Sequence, residues 1–335
     1  MRLLAPGGLA ITVLLALAES SLEAQATSPE ATSSQATSSE PTSSQATSSS
    51  VRLTGYIQAR ETYRDGVGLT ASINRARLTA YGTVATDVTW RIQGEFRTGA
   101  VGTGKATVSL QDAYIRYKTG DFGVQAGQFK TPFTREFITS LADVETADRA
   151  TVVDSIAPKR DIGIMADYAV GPLATLMLGV FNGEGQNVTA NSDSTLLWVG
   201  RASVRPVAYL TLGANAASYE SDSTRYGVDA SLEYRGATLK GEYVGQHRDG
   251  GTLDDKGWYA QGTFKVLPWV QLVLKQEDFR RSEISEALRN RATTGGANLE
   301  FSGGKVRLLA NYVSRRIGTP GVRRGLLTTQ AQVKF

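Results

Sequence analysis

Val88-Thr-Trp-Arg-Ile-Gln-Gly-Glu-Phe-Arg97 alternates apolar and polar residues along its whole length. Val88, Trp90, Ile92, Gly94 and Phe96 share one parity, and Arg91, Gln93, Glu95 and Arg97 share the other. Successive side chains of a β-strand leave opposite faces, so this stretch predicts a strand with one dry and one wet face. The same division sets Ala76, Leu78 and Ala80 against Arg75 and Arg77, and Trp198, Gly200, Ala202 and Val204 against Arg201, Ser203 and Arg205. It recurs at 226–234, 258–266 and 306–312.

Sixteen such stretches run from 51–62 to 325–335, and a single-chain bacterial barrel requires an even number. The phase slips where Leu110 and Ile115 fall on opposite parities, which predicts a β-bulge or a strand end near Gln111 and Asp112. The connections alternate in length: 63–72 and 99–106 read as long and 85–87 and 119–120 as short. Short ones follow at 170–172, 206–208 and 267–268, and long ones at 183–194, 248–255, 279–289 and 315–324. A soluble sandwich has no reason to keep this rhythm, whereas a transmembrane barrel has short periplasmic turns and long outer loops. The expected fold class is all-β, a transmembrane antiparallel β-barrel of about 16 strands over 51–335, ending on the alternating run 327–335 with its terminal Phe335.

Upstream, Arg2 precedes an apolar run at 9–18, and small residues follow at Ala24 and Ala26. That run is too short to span a bilayer as a helix, and residues 1–26 read as a secretory signal peptide. Residues 27–50 are nearly all Ala, Thr, Ser, Gln and Glu, with Ala-Thr-Ser-Ser repeated, and read as a disordered linker with little to bury. The chain has no Cys and one His, His247, which excludes disulfides and thiolate metal sites and leaves little room for histidine-based zinc chemistry.

The chain holds 36 Lys plus Arg and 32 Asp plus Glu; setting aside Arg2, Glu19, Glu23, Glu30 and Glu40 leaves 35 against 28 from residue 51 onward. If the apolar parity meets lipid, the opposite parity faces the lumen. It carries Arg75, Arg77, Arg91, Arg97, Arg116, Lys118, Arg201, Arg205, Lys240, Lys265, Lys275 and Arg307. Such a lining raises the local concentration of anions. The alternative reading of these cations is that they sit in loops or near strand ends, against lipopolysaccharide phosphates. The connection 131–160 is far longer than the rest and has apolar spacing of its own at Phe137, Ile138, Leu141 and Val144. It is expected to fold into the barrel and narrow it, with Lys130, Arg135, Lys159 and Arg160 nearest the narrowest point. Lying over the rim or against a neighbouring subunit is the alternative.

The stretches Gly127-Gln-Phe-Lys-Thr-Pro-Phe-Thr-Arg-Glu136, Ala147-Asp-Arg-Ala-Thr-Val-Val-Asp154, Pro158-Lys-Arg-Asp-Ile-Gly-Ile-Met165 and Leu178-Gly-Val-Phe-Asn-Gly-Glu-Gly185 resemble the phosphate-selective porin O and P family. The resemblance implies a sixteen-stranded trimeric barrel of the bacterial outer membrane with an infolded third loop. It implies passive diffusion of anions, such as inorganic phosphate or polyphosphate, along arginines with lysines at the constriction. No enzyme activity, cofactor, metal or nucleic-acid partner is expected. The Thr/Ser tract departs from the charged, helical region common upstream of such barrels. Rival readings are a non-selective general porin and an outer-membrane hydrolase built on His247.

Overall fold

The computed structural model describes residues 50–97, 104, 106–220, 223–248, 254–281, 289–318 and 321–335. The expected signal peptide at 1–26 and nearly all of the linker at 27–50 lie outside the described residues. Sixteen strands, β1 (Arg52–Arg64), β2 (Gly68–Ala85), β3 (Val88–Arg97), β4 (Thr107–Thr119), β5 (Phe122–Lys130), β6 (Arg160–Val170), β7 (Ala174–Phe181), β8 (Leu197–Val207), β9 (Leu210–Tyr219), β10 (Ser223–Tyr234), β11 (Ala237–Arg248), β12 (Asp255–Leu267), β13 (Val270–Arg280), β14 (Arg289–Phe301), β15 (Val306–Ile317) and β16 (Val322–Lys334), form one closed antiparallel barrel. Each strand pairs with its sequence neighbours, and β1 closes on β16. No described helix is long and apolar enough to cross a membrane.

The usual order of burial is reversed. Leu53, Ile57, Ile92, Ile115, Ile164, Leu178, Val228, Leu239 and Leu274 stand exposed on the outside, while Gln58, Gln93, Glu95, Gln261, Asn298 and Gln332 are buried inside. Water on both sides would make that arrangement costly; a hydrocarbon exterior makes it favourable. Near the short turns the outer face carries Tyr117, Phe122, Tyr168, Tyr209, Tyr234, Trp269 and Phe335, with Tyr209 against Tyr234 at 6.3 Å and Trp269 stacked on Phe301 at 6.2 Å. Towards the other rim it carries Phe96, Trp198, Tyr226, Tyr243, Trp258 and Tyr312. Two such girdles bound the apolar band of a transmembrane barrel.

The short turns include 86–87, 120–121, 171–173, 208–209, 235–236 and 268–269. In the 235–236 turn both Arg235 (φ 49°) and Gly236 (φ 82°) are left-handed, the geometry that matches the twist of a two-residue hairpin. Near Gln111–Asp112 the strand continues through a bulge and does not end: Gln93 faces Asp112 and Gly94 faces Leu110, so Gln111 is the extra residue and both Gln111 and Asp112 are buried inside. Two connections are corrected. The 63–72 segment is not a long loop, because β1 and β2 pair from Arg64–Gly68 downward and leave only 65–67 as the turn. An extra residue at Asn74, between the Gln58–Arg75 and Ala59–Ile73 pairs, lets β2 continue past a break in its alternation. The 315–324 segment is not a long loop either, because β15 and β16 pair as far as Ile317 and Val322.

At the seam, Gly55 and Phe335 exchange backbone hydrogen bonds of 2.9 and 3.0 Å, and the Phe335 ring covers Gly55. A Cβ at Gly55 would lie 2.4 Å from the Arg77 carbonyl oxygen and 2.6 Å from that ring, so the close approach requires glycine.

Candidate functional site

The segment between β5 and β6 leaves the wall and lies inside the barrel. Its neck is held where Lys130 pairs with Arg160 and the Thr131 hydroxyl donates to the Pro158 carbonyl at 2.9 Å. Thr134, left-handed at φ 53°, accepts from the Phe137 amide at 3.2 Å and starts α1 (Arg135–Ile138); α2 (Thr151–Ile156) follows. Phe133, Phe137, Val152, Val153 and Ile156 are buried and form one apolar cluster with Phe181, Leu197, Val199, Val244, Tyr259 and Phe279 of the wall. Ile138 does not join that cluster and remains partly exposed.

Polar contacts tie the rest of the loop to the same side. The Glu242 carboxylate accepts from the Arg135 amide at 2.9 Å, the Glu136 amide at 2.6 Å and the Tyr259 hydroxyl at 2.8 Å. Lys240 pairs with Glu145, Asn298 donates to the Glu145 carbonyl at 2.9 Å, and Lys275 donates to the Thr146 hydroxyl and the Asp148 carbonyl, both at 3.0 Å. Arg60 reaches the Ala147 carbonyl at 2.6 Å and Asp148 at 2.9 Å, and Gln332 donates to the Ala142 carbonyl at 3.0 Å. The loop is therefore fixed to β10–β16 and β1.

Two cations finish α1. The Lys130 ammonium donates to the carbonyls of Phe137 (2.7 Å), Ile138 (3.2 Å) and Thr139 (2.8 Å), and Arg149 donates to those of Glu136, Phe137 and Thr139 at 2.9–3.0 Å. These carbonyls end a helix and have no partner within it. The Glu136 carboxyl accepts from the Ala150 amide at 2.8 Å, and burial pushes it above its ordinary range. Burial pulls the Lys159 ammonium below its ordinary range; it donates to the Asp154 carbonyl.

Across from the loop, the walls of β2–β6 stay open around a cavity of about 220 Å³. It is bordered by Arg77, Arg91, Gln93, Asp112, Tyr114, Gln125, Phe129, Lys130 and Arg160, with Ile138 and Ser140 on the loop side. Five guanidinium groups of this wall share two carboxylates. Glu95, fully buried, is paired with Arg77 and Arg97 and lies 3.8 Å from Arg75. Asp112 holds Arg160 at 2.8 Å and Arg91 at 3.3 Å.

The remaining sequence candidates lie elsewhere. Arg135 is on the far side, where Asp229 holds it at 2.8 Å and also holds Arg201 at 2.7 Å. Arg116 makes a bidentate pair with Asp167 at 2.6 and 2.8 Å, near the short turns, and Arg205 is exposed at the corresponding end of β8. Of the four cations expected nearest the narrowest point, Lys130 and Arg160 border the cavity, Arg135 does not, and Lys159 caps the loop. Sequence reasoning missed the ordering role of Lys130 and Arg149, because their partners are backbone carbonyls. His247 is exposed on the outer rim, with its Nδ1 2.8 Å from Asp254. No metal-holding group of His, Asp and Glu occurs among the described residues.

The sequence pattern of the phosphate-selective porin O and P family matches residues 55–235. Outer membrane protein SlpA of Thermus thermophilus is 31% identical over 105 residues; the chain spans only 11% of that relative's length, using 28% of its own. Among solved structures, the outer membrane channel DcaP of Acinetobacter baumannii superposes with a TM-score of 0.66 at 14% identity, covering 86% of this chain and 97% of DcaP. The anion-selective porin from Comamonas acidovorans does so with a TM-score of 0.63 at 14% identity, covering 86% of this chain and all of that one. At such identities the likeness is one of fold.

Proposed function

Since this chain belongs to the phosphate-selective porin O and P family, and is an outer-membrane porin channel by fold and family, we propose that its lumen passes anions in preference to cations, with inorganic phosphate or polyphosphate as the solute class. One observation carries the reading: five arginines (Arg75, Arg77, Arg91, Arg97 and Arg160) against two acids (Glu95 and Asp112) on the wall facing the inserted loop. An unbalanced fixed charge in a narrow, low-dielectric opening attracts counter-ions of the opposite sign. On the loop side, the four cations Arg135, Arg201, Lys240 and Lys275 meet the three acids Asp229, Glu145 and Glu277, a smaller excess than that of the opposite wall. Arg116 and Arg205 then serve as an approach from the short-turn end, and Lys130 and Lys159 hold the constriction. The family resemblance supports assembly as a homotrimer, and contact with lipopolysaccharide at the outer rim completes the reading.

The test is the reversal potential of the refolded protein in a planar bilayer under a KCl gradient. Chloride preference at low salt that weakens as salt rises supports the proposal, because mobile ions screen the lining. Phosphate should then block the chloride current at concentrations where sulfate does not. Cation preference ends the proposal, and a reversal potential of zero at low salt makes the protein a general porin.

A further inference from the structure

The outer face of β12–β16 carries a row of cations with no counterpart among the described residues of the other strands. Lys256 stands opposite Arg280, Arg280 opposite Arg289, Arg291 opposite Arg316, and Arg316 opposite Arg323. Paired residues point to the same side of the sheet, and these positions share parity with Trp258, Leu274, Tyr312 and Leu327, all exposed on the outside. The row therefore faces away from the lumen. Asp278 is its one acidic partner among the described residues, held by Arg289 at 2.5 Å and Arg291 at 3.4 Å. Like charges placed directly across a strand pair destabilise a sheet, so a run of them implies an anionic partner. At comparable ends of β2–β4 the outer face carries Leu69, Phe96 and Val108 instead.

Height identifies the partner. Trp258 is paired with Asp278, nine positions along the chain from Trp269 at the short-turn girdle. At about 3.4 Å per residue and a tilt of about 40°, the two girdles lie about 23 Å apart, the thickness of a barrel's apolar band. Arg280, two residues beyond Asp278, stands about 5 Å above the upper girdle, where lipid headgroups begin. We propose that the β12–β16 arc is a docking surface for a phosphorylated outer-leaflet lipid, whose phosphates bridge Arg280, Arg291 and Arg316. Guanidinium groups suit this task because they bind phosphate through two parallel hydrogen bonds. The proposal deepens the lipid contact named above and is independent of which ion passes through the lumen.

The test uses the full chain refolded in zwitterionic detergent and titrated with fluorescent diphosphoryl lipid A, with phosphatidylcholine as the comparison. A basic residue beside an anionic lipid surface is worth about fivefold in affinity. The triple variant Arg280→Gln, Arg291→Gln, Arg316→Gln should bind lipid A roughly a hundredfold more weakly, with the gap closing as salt is added. Its bilayer reversal potential should match the parent, which separates this proposal from the pore reading. Heat-modifiable migration reports whether the variant folds; if it does not, Arg280→Gln and Arg316→Gln alone should each show the fivefold loss. Equal lipid A affinity in parent and variant overturns the proposal, as does a parent that prefers phosphatidylcholine. Loss of subunit association with lipid affinity intact also overturns it and makes the row a contact between copies.

Discussion

Arg91 offers a graded test of the lining. Its side chain is about one-third exposed, borders the cavity and is held by Asp112 at 3.3 Å, so it can be changed without emptying a buried pair completely. Arg91→Gln removes one unit of charge, and Arg91→Glu changes the charge by two. A permeating anion about 5 Å from this position feels about 0.8 kcal/mol per unit charge in water. Screening at 0.1 M salt, with a Debye length of about 10 Å, reduces that to about 0.5 kcal/mol. A cation gains what the anion loses, so the anion-to-cation permeability ratio should fall about fivefold for the glutamine and about thirtyfold for the glutamate, with larger changes at 0.01 M salt. Reversal potentials under a tenfold KCl gradient measure both. The reasoning fails if the ratio is unchanged in both variants, or if the glutamate shifts it less than the glutamine does.

Removing the Lys130 ammonium with Lys130→Met leaves the Phe137 and Thr139 carbonyls at the end of α1 to Arg149 alone and takes the cationic donor from Ile138. Single-channel traces should become noisier and proteolysis of the loop faster, with a loss of about 2 kcal/mol in local stability; quiet traces and a resistant loop would show that the apolar cluster alone suffices. Gly55→Val pushes a branched side chain against the Phe335 ring and the Arg77 carbonyl and should lower the temperature at which the folded band converts on gels, whereas Gly94→Ala, which meets nothing within 4 Å, should not. Glu136 is buried with its pKa raised, so it favours the folded loop below the ordinary carboxylate range, and that contribution is lost as pH rises through the raised value. The denaturation midpoint of the parent should therefore fall relative to Glu136→Gln as pH increases from about 4; a constant difference would place the carboxylate in a solvated setting.

Much of the barrel was written in local pattern. Alternation marked the strands, and the parity slip between Leu110 and Ile115 marked the Gln111 bulge, because both depend on neighbours within a few residues. The 63–72 stretch misled because Leu69, Ala71 and Ile73 alternate on one parity and Ala76 and Leu78 on the other, the phase shift made by the extra residue at Asn74. The candidate site was half legible. Parity placed Arg75, Arg77, Arg91 and Arg97 on one face, yet it cannot show that Glu95 would be shared among three of them. Nor could it show that Arg135 would cross to Asp229, 94 residues away in sequence, since that depends on which side of the lumen the loop adopts.

Anchoring the inserted loop to one side divides the labour between the two halves of the wall. Residues of β10–β16 are constrained by what they hold, whereas inward positions of β2–β4 such as Gln93 and Arg91 are free of loop contacts and can drift with little penalty to folding. A barrel built this way can acquire a new solute preference by successive substitutions on its unburdened side, so relatives should diverge fastest there in charge while keeping the anchoring carboxylates and amides opposite.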